Sequence, residues 1–539
     1  MKNIFNKKLY AIVLGFLFFA PACTDLQEEL YSDVTDDNFF QTDEEFIAAL
    51  GQAYSSLFSM GNHFNTWSIN ELTTDELVVP TKGGDWYDGG VLLQLHEHKF
   101  TPDNAMFNSA WGQIYGGVNT CNRLIAQFGV LGTPAAEAFI GELRAVRALW
   151  YFYALDAFGN VPLVVDFSDA VIGNESSLDA GRTKVYNFLI SELNEIIPSL
   201  DASVGGSAYG RMNQAAAIAL RQRLYLNSEV YTGTAEWQKV IDDANAIEGF
   251  GFQLAGDYSS NFAVENSGSP ENIFVVPYDK VFAGGFNWNM MTLHISGQNI
   301  FNLTSQPWNG YGTVEEFYNS YIDPDQNPGP QGPVWSGLAG ADDPNHVDGV
   351  PNDVGTQDSR LSNFLVGDIY NQDGSRLEDP GHEPDDPNGP PVTHTPASNE
   401  IWPNGWRQGL ARIQKYEFEV GGTNNMSNDF VIFRWGGVLL SKAEAMYRLG
   451  DAAGALAIVN DIRARAGVDP FTDLDDTNLL AEIGREMYAE LTRRQDLIRF
   501  GRFGDAWWEK DVSTEQYEVF PIPQPQIDVN AALNQNPGY

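Results

Sequence analysis

Apolar residues recur at helical spacing along much of this chain, in blocks separated by long polar stretches. The best-formed block is PAAEAFIGELRAVRALWYFYALDAFG, residues 134–159. Pro134 suits a first helical turn and Gly159 suits an exit. After Val146 the apolar positions run nearly all round, which predicts a central, buried helix. Helical patterning also covers about 104–128 and about 478–499, and a further helix is expected from about Asp43 to Met60, capped by Thr42 or Asp43. Two segments, Arg211–Ile247 and Arg434–Ala466, read as helical hairpins. In each a helix ends at glycine, a polar cap follows, and a second alanine-rich helix returns. Their size and their Tyr, Gly and Ala placement match tetratricopeptide units, although the units are not contiguous.

Between the hairpins the pattern changes. Residues 250–430 are rich in Gly, Pro, Asn and Trp, with long loops at 323–358 and 371–399. Loops of that length invite a functional explanation. NIFVVPY (272–278) reads as an isolated strand, VPLVV (161–165) as a short buried strand or extended piece, and 61–100 as irregular, with turns at Pro80 and GGDWYDGG. The closing tail, FPIPQPQIDVNAALNQNPGY, is expected to be non-helical and docked on the body. The pattern predicts a mainly α fold. Its helical core covers about 43–60, 104–247 and 430–510, and a loop-rich half with short strands covers about 61–100 and 250–430.

The first residues read as an export signal. Lys2, Lys7 and Lys8 precede an uncharged apolar run, Tyr10 to Ala20, too short to span a bilayer, and then Ala22-Cys23. This predicts a signal peptide at 1–22, lipid on Cys23 and an acidic tether at 23–42. Cys121, in an apolar segment, is a small core residue. The chain carries 31 basic against 72 acidic residues, a net charge of −41. That balance repels nucleic acid and anionic headgroups and favours a neutral ligand.

Candidate chemistry is sparse. His96-Glu97-His98 lacks the spacing that puts two metal ligands on one helix face, and Asp323-Pro-Asp325 departs from an EF-hand at Pro328 and Val334. The acidic loops leave room for a structural calcium ion, and no other cofactor is expected. No nucleophile elbow, Walker loop or dinucleotide fingerprint is present, so no enzyme is expected; the abundance of acids leaves only a glycosidase carboxylate pair to weigh. The positive signal is aromatic. Trp86 and Tyr87 sit in a turn between glycine pairs, near Asp75, Lys82 and Asp85; Trp288, Trp308 and Tyr311 are interleaved with Asn287, Asn289 and Asn309. Indole and phenol faces stack on the C–H faces of sugar rings, while Asn, Asp and Lys take hydroxyls. Trp402 and Trp406 are weaker candidates. Trp150, Trp237, Trp435, Trp507 and Trp508 read as helical core residues.

These residues resemble the SusD/RagB lipoproteins. ELRAVRALWYFYALDAFGNVPLV (142–164), GRMNQAAAIALRQRLYLNSEVYTG (210–233), DSRL (358–361), FRWGGVLLSKAEAMYRLGD (433–451), IRARAG (462–467) and REMYAELTRRQDLIRFGRF (485–503) stand in that family's order, with Ser359 where the family has proline. The resemblance implies one SusD-like domain over 43–539, with four tetratricopeptide-like pairs and a loop-rich ligand-binding half. It implies an outer-membrane protein facing the exterior, lipid-anchored at Cys23, that hands its ligand to a SusC-like TonB-dependent barrel transporter. For family members that bind glycans, the ligand regions correspond here to Trp86 with Asp75 and Lys82, and to Trp288 and Trp308, with Tyr87, Asn287 and Tyr311 beside them. The expected ligand is an oligosaccharide, most simply a neutral glucan such as the β-glucan laminarin; the alternatives are a RagB-like peptide importer and, further off, a glycoside hydrolase.

Overall fold

The structure is a computed structural model that describes residues 42–166, 172–322, 358–379 and 391–539. The expected signal peptide, Cys23, the tether up to residue 41 and the Asp323–Asn327 loop lie outside these residues. The chain divides into two units, Met1–Ile47 and Ala48–Tyr539. In the first, the described residues open helix α1 (Asp43–Ser55). Thr42 Oγ1 accepts from the Glu45 N–H at 3.3 Å and Glu45 Oε2 accepts from the Thr42 N–H at 2.9 Å, a reciprocal capping box. The helix expected to reach Met60 stops at Ser55 and tightens into a 3-10 turn over Ser56–Ser59.

The second unit holds the helical scaffold. After α2 (Thr66–Glu71) and α3 (Val91–His96) come α4 (Ala105–Leu131) and α5 (Pro134–Phe158), which pack along their length, with α6 (Leu178–Ile196) on the other side of α5. Helix α5 is buried continuously from Ala145 to its end, as its all-round apolar pattern predicts. Gly117 of α4 is what lets Trp150 of α5 in, because a Cβ there would stand 2.1 Å from the indole Nε1. Cys121 is fully buried in the same layer, and burial pushes its thiol up to about 12.

The two predicted hairpins form and pack on each other. The first is α7 (Gln214–Leu226), α8 (Ser228–Thr232) and α9 (Trp237–Glu248), with Gly233 left-handed at φ 73° where the chain turns. The second is α10 (Trp435–Arg448) and α11 (Ala452–Ala466), joined through Gly450 at φ 91°. Helix α9 packs on α10, so the hairpins form one scaffold although they are far apart in sequence.

One expected helix is two. Residues 478–499 form α12 (Asp476–Met487) and α13 (Arg493–Arg499), broken where Ala489 and Leu491 adopt φ of 59° and 62°. Their N–H groups leave the helix ladder for distant carboxylates: Ala489 donates to Glu76 at 2.7 Å and Leu491 to Glu71 at 2.6 Å. The tail docks as expected, with the Phe520 N–H on Ala157 O at 2.8 Å and Asn536 Nδ2 on Phe158 O at 2.7 Å. Contrary to the sequence reading, it contains a short helix, α14 (Gln524–Val529).

The loop-rich half is built from two-stranded antiparallel ribbons: β1 (Leu77–Val78) with β3 (Gly312–Thr313), β2 (Asn272–Val276) with β8 (Phe430–Arg434), β4 (Phe364–Leu365) with β7 (Arg412–Ile413), and β5 (Gly367–Asp368) with β6 (Thr393–His394). The strand expected to be isolated at 272–278 is therefore paired, while 161–164 forms no strand. A buried ion network joins this half to the helices. Arg360 reaches Asp358 at 2.9 Å and Glu482 at 2.7 Å; Arg434 reaches Glu490 at 2.8 Å, Glu486 at 2.7 Å and Glu271 at 3.1 Å. Each buried ion has several partners, the condition under which such charges are tolerated inside a protein.

Candidate functional site

The turn after β1 carries the first aromatic pair. Thr81 and Gly83 donate to Ile401 O and Pro403 O at 2.9 and 3.0 Å, so the turn lies against the 401–406 loop. Gly405 permits the contact, because a Cβ there would sit 2.8 Å from Pro80 Cβ. Between these anchors the backbone is left-handed at Trp86 (φ 61°) and Asp88 (φ 44°), followed by Gly89 and Gly90 in the same region. Non-glycine residues held there cost about 1–3 kcal/mol each, and such outliers cluster where a side chain must be presented in a particular direction. Here the turn holds Trp86 half-buried and Tyr87 46 % exposed.

The second segment, 286–311, folds back under the first. A short helical turn over Trp288–Thr292 accepts three N–H groups from the 308–311 segment: Trp308 bonds Met290 O at 2.7 Å, and Gly310 and Tyr311 bond Met291 O at 2.8 and 2.9 Å. Trp86 Nε1 donates to Trp308 O at 2.6 Å. Gly310 makes room for the indole, since a Cβ there would lie 2.4 Å from its ring atoms. The Trp86 indole therefore meets the Trp308 backbone, and both tryptophans are partly open. His63 lies between them, its ring centroid 5.0 Å from Trp308 and 5.9 Å from Trp86. Trp402 and Trp406 are 54 % and 50 % exposed on the neighbouring loop, which makes them stronger members of the surface than the sequence suggests.

Several expected ligand residues are placed otherwise. Trp288 is completely buried, packed on Trp67 at 4.6 Å and enclosed by Phe286, Tyr416 and Phe430, so its faces are spent on the core. Tyr311 is also buried; its hydroxyl donates to His63 O at 2.7 Å and meets Ser68 Oγ at 3.0 Å, so it props the surface from below. Lys82 is buried and donates to Gly310 O and Pro80 O at 3.2 and 3.3 Å, tying the two aromatic segments together. Burial, with Arg412 nearby, holds its ammonium pKa well below the usual lysine range. Asn287 is buried and reaches His63 Nδ1 from its Nδ2 at 3.2 Å. Asp75 is elsewhere: both carboxylate oxygens accept from Arg493 at 2.7 Å, at the edge of a separate cavity of about 300 Å³ that also holds Glu316 and Trp507.

The remaining candidates have structural partners. His96 Nε2 sits 2.8 Å from Trp508 O, and His98 bridges Thr73 O and Ser513 Oγ. Trp150 and Trp435 are core residues as expected, whereas Trp507 and Trp508 lie in a turn rather than on a helix, and Trp237 is half-buried. The sequence reading missed His63 as part of the surface. GNHFN (61–65) has the same glycine- and asparagine-flanked aromatic composition as the two segments singled out, which is the signal that could have found it.

The fold and this surface define a class: a helical-pair scaffold carrying a loop-built aromatic surface. The SusD family model matches residues 270–539, half of the chain, and the chain belongs to that family. It is similar to the starch-binding protein SusD of Bacteroides thetaiotaomicron, 25 % identical over 511 residues that cover 89 % of this chain and 86 % of that protein. In fold it resembles a SusD-like protein from Bacteroides fragilis, with a TM-score of 0.71 and 20 % identity, covering 94 % of this chain and 99 % of that one. It also resembles the surface glycan-binding protein A of Bacteroides thetaiotaomicron, solved in complex with laminarihexaose, with a TM-score of 0.67 and 20 % identity, covering 92 % and 99 %. At these identities the structural likenesses show the fold alone.

Proposed function

We propose that this protein captures a neutral oligosaccharide at the cell surface on the Trp86–Trp308 platform and delivers it to a SusC-like TonB-dependent transporter. Lipid on Cys23 holds it on the outer face of the outer membrane, and it makes and breaks no covalent bond of its ligand. The observation that carries this reading is the contrast among the tryptophans. Trp288 and Trp67 are sealed in the core, while Trp86, Trp308, Trp402 and Trp406, with Tyr87, are left open on adjoining loops. Open aromatic faces are what sugar C–H faces stack on. Asp85 and Asp88 are exposed beside Trp86, which disfavours an anionic sugar there. The laminarihexaose complex of the structural neighbour supports a glucan, and laminarin is the first to try.

Calorimetry against neutral glucans, with laminarihexaose among them, tests this. Trp86→Ala and Trp308→Ala are each expected to weaken binding by about five- to a hundredfold, since loss of one stacked face removes roughly 1–3 kcal/mol. Trp288→Ala serves as the contrast: it should cost about 3–5 kcal/mol of stability through its cavity. Undiminished binding in both platform variants would sink the assignment, and binding of peptide mixtures with no glycan bound would replace it with peptide import.

A further inference from the structure

We propose that His63 is a ligand-contacting residue whose Nε2–H donates to a hydroxyl or ring oxygen of the sugar seated between Trp86 and Trp308. This rests on the platform reading above and adds the hydrogen bond that fixes the sugar's orientation on it.

The argument begins with the tautomer. Asn287 Nδ2 stands 3.2 Å from His63 Nδ1, and with the amide in this orientation Nδ1 accepts and the proton sits on Nε2. The backbone carbonyl of the same residue is held by the Tyr311 hydroxyl at 2.7 Å, and Phe64 stands edge-on to the ring at 5.9 Å. The ring is therefore fixed on one nitrogen, on its backbone and by packing. Nε2 has no hydrogen-bond partner among the described residues, and it is not sealed from solvent. The open nitrogen therefore stands beside two indoles, free to bond a ligand that displaces water from it. A second group points the same way: Asn287 is 7 % exposed, and its Oδ1 is buried with no partner among the described residues.

The charge state suits the role. Burial lowers the His63 pKa from its ordinary value, opposed by the charge of Asp88, so the ring is neutral at neutral pH. A neutral donor between aromatic faces complements an uncharged sugar oxygen. Stacking alone is tolerant of ring identity and of rotation about the ring normal. One fixed donor removes that freedom and makes the surface discriminate among hydroxyl configurations.

The test uses the full chain with laminarihexaose as probe. Histidine-selective nitrogen NMR of the unliganded wild type should show His63 protonated on Nε2, assigned by loss of that signal in His63→Ala. Saturating laminarihexaose should shift the Nε2 resonance while Nδ1 stays in place. By calorimetry, His63→Ala should bind about tenfold more weakly with an unchanged melting temperature, and His63→Gln, which keeps a side-chain N–H, should recover part of the loss. An Nδ1–H tautomer, or an Nε2 resonance that ignores bound ligand, overturns the proposal even if His63→Ala folds poorly. If Trp86→Ala and Trp308→Ala lose binding but His63→Ala does not, this inference fails and the platform stands. If the wild type does not bind laminarihexaose, both fall.

Discussion

Gly310 shows how much of the surface depends on a side chain that is absent. Its missing Cβ leaves the space in which the Trp86 indole lies, and its carbonyl accepts from Lys82. Gly310→Ala puts a methyl group 2.4 Å from the ring, so the indole must leave its present position. Overpacking of this kind costs about 1–3 kcal/mol, and we expect a comparable loss of glycan affinity, read by calorimetry beside a urea titration. Full affinity in a folded Gly310→Ala protein would mean that Trp86 does not contact ligand where it stands. Residue identity was the weakest guide at this scale. The sequence marks Trp86, Trp288 and Trp308 alike, as tryptophans among Gly and Asn. What separates them is the set of rings around Trp288, drawn from Trp67, Tyr416 and Phe430. Trp67 lies on α2, Tyr416 in the loop after β7 and Phe430 on β8, so their meeting is set by tertiary packing that no local pattern encodes.

Among the elements, those whose signal is local were legible and those set from afar were not. The central helix α5 and the two hairpins follow from periodicity, glycine exits and polar caps within a few residues. The break between α12 and α13 could not be read, because its acceptors, Glu71 and Glu76, lie more than 400 positions away in sequence. That junction carries a pH prediction. Each carboxyl takes one backbone N–H, and the other oxygens, Glu71 Oε2 and Glu76 Oε1, are buried. Burial pushes Glu71 up to about 7; burial, then the neighbouring Glu71 charge, raises Glu76 well above the usual carboxylate range. Lys415 and Arg493 oppose the rise, while Glu490 and Asp75 add to it. A raised carboxyl pKa means that the folded state holds a proton the unfolded chain gives up. Stability is then fully present below about 4.5 and is lost as pH climbs through about 7. The loss from the Glu71 shift is roughly 3 kcal/mol. Urea unfolding at pH 5 and pH 8 should show it, and Glu71→Gln, which keeps an oxygen for the Leu491 N–H, should remove the Glu71 share of the difference and leave that of Glu76. An equal pH dependence in the variant would place the effect elsewhere.

At the scale of the whole molecule, the charge balance acts on stability and on ligand choice by separate routes. The chain carries 31 basic and 72 acidic residues, and among the described residues burial takes in a larger share of the basic side chains. Arg360, Arg412, Arg434, Arg494 and Lys415 are inside, most of them engaged with buried carboxylates or carbonyls. The surface therefore carries a higher ratio of acidic to basic groups than the chain as a whole, and its self-repulsion opposes the folded state. Salt screens that repulsion: the Debye length falls from about 30 Å at 0.01 M to about 3 Å at 1 M. The buried network is shielded from the same ions and should change little. Raising sodium chloride over that range should thus raise the melting temperature. Affinity for a neutral glycan should stay constant, because stacking on Trp86 and Trp308 and a hydrogen bond from neutral His63 involve no net charge on either partner. The two measurements separate the two roles of the charge. A melting temperature that falls with salt would show that surface attractions, not repulsions, dominate. An affinity that weakens steeply with salt would show that the ligand is held by charge, and a neutral oligosaccharide would no longer be tenable.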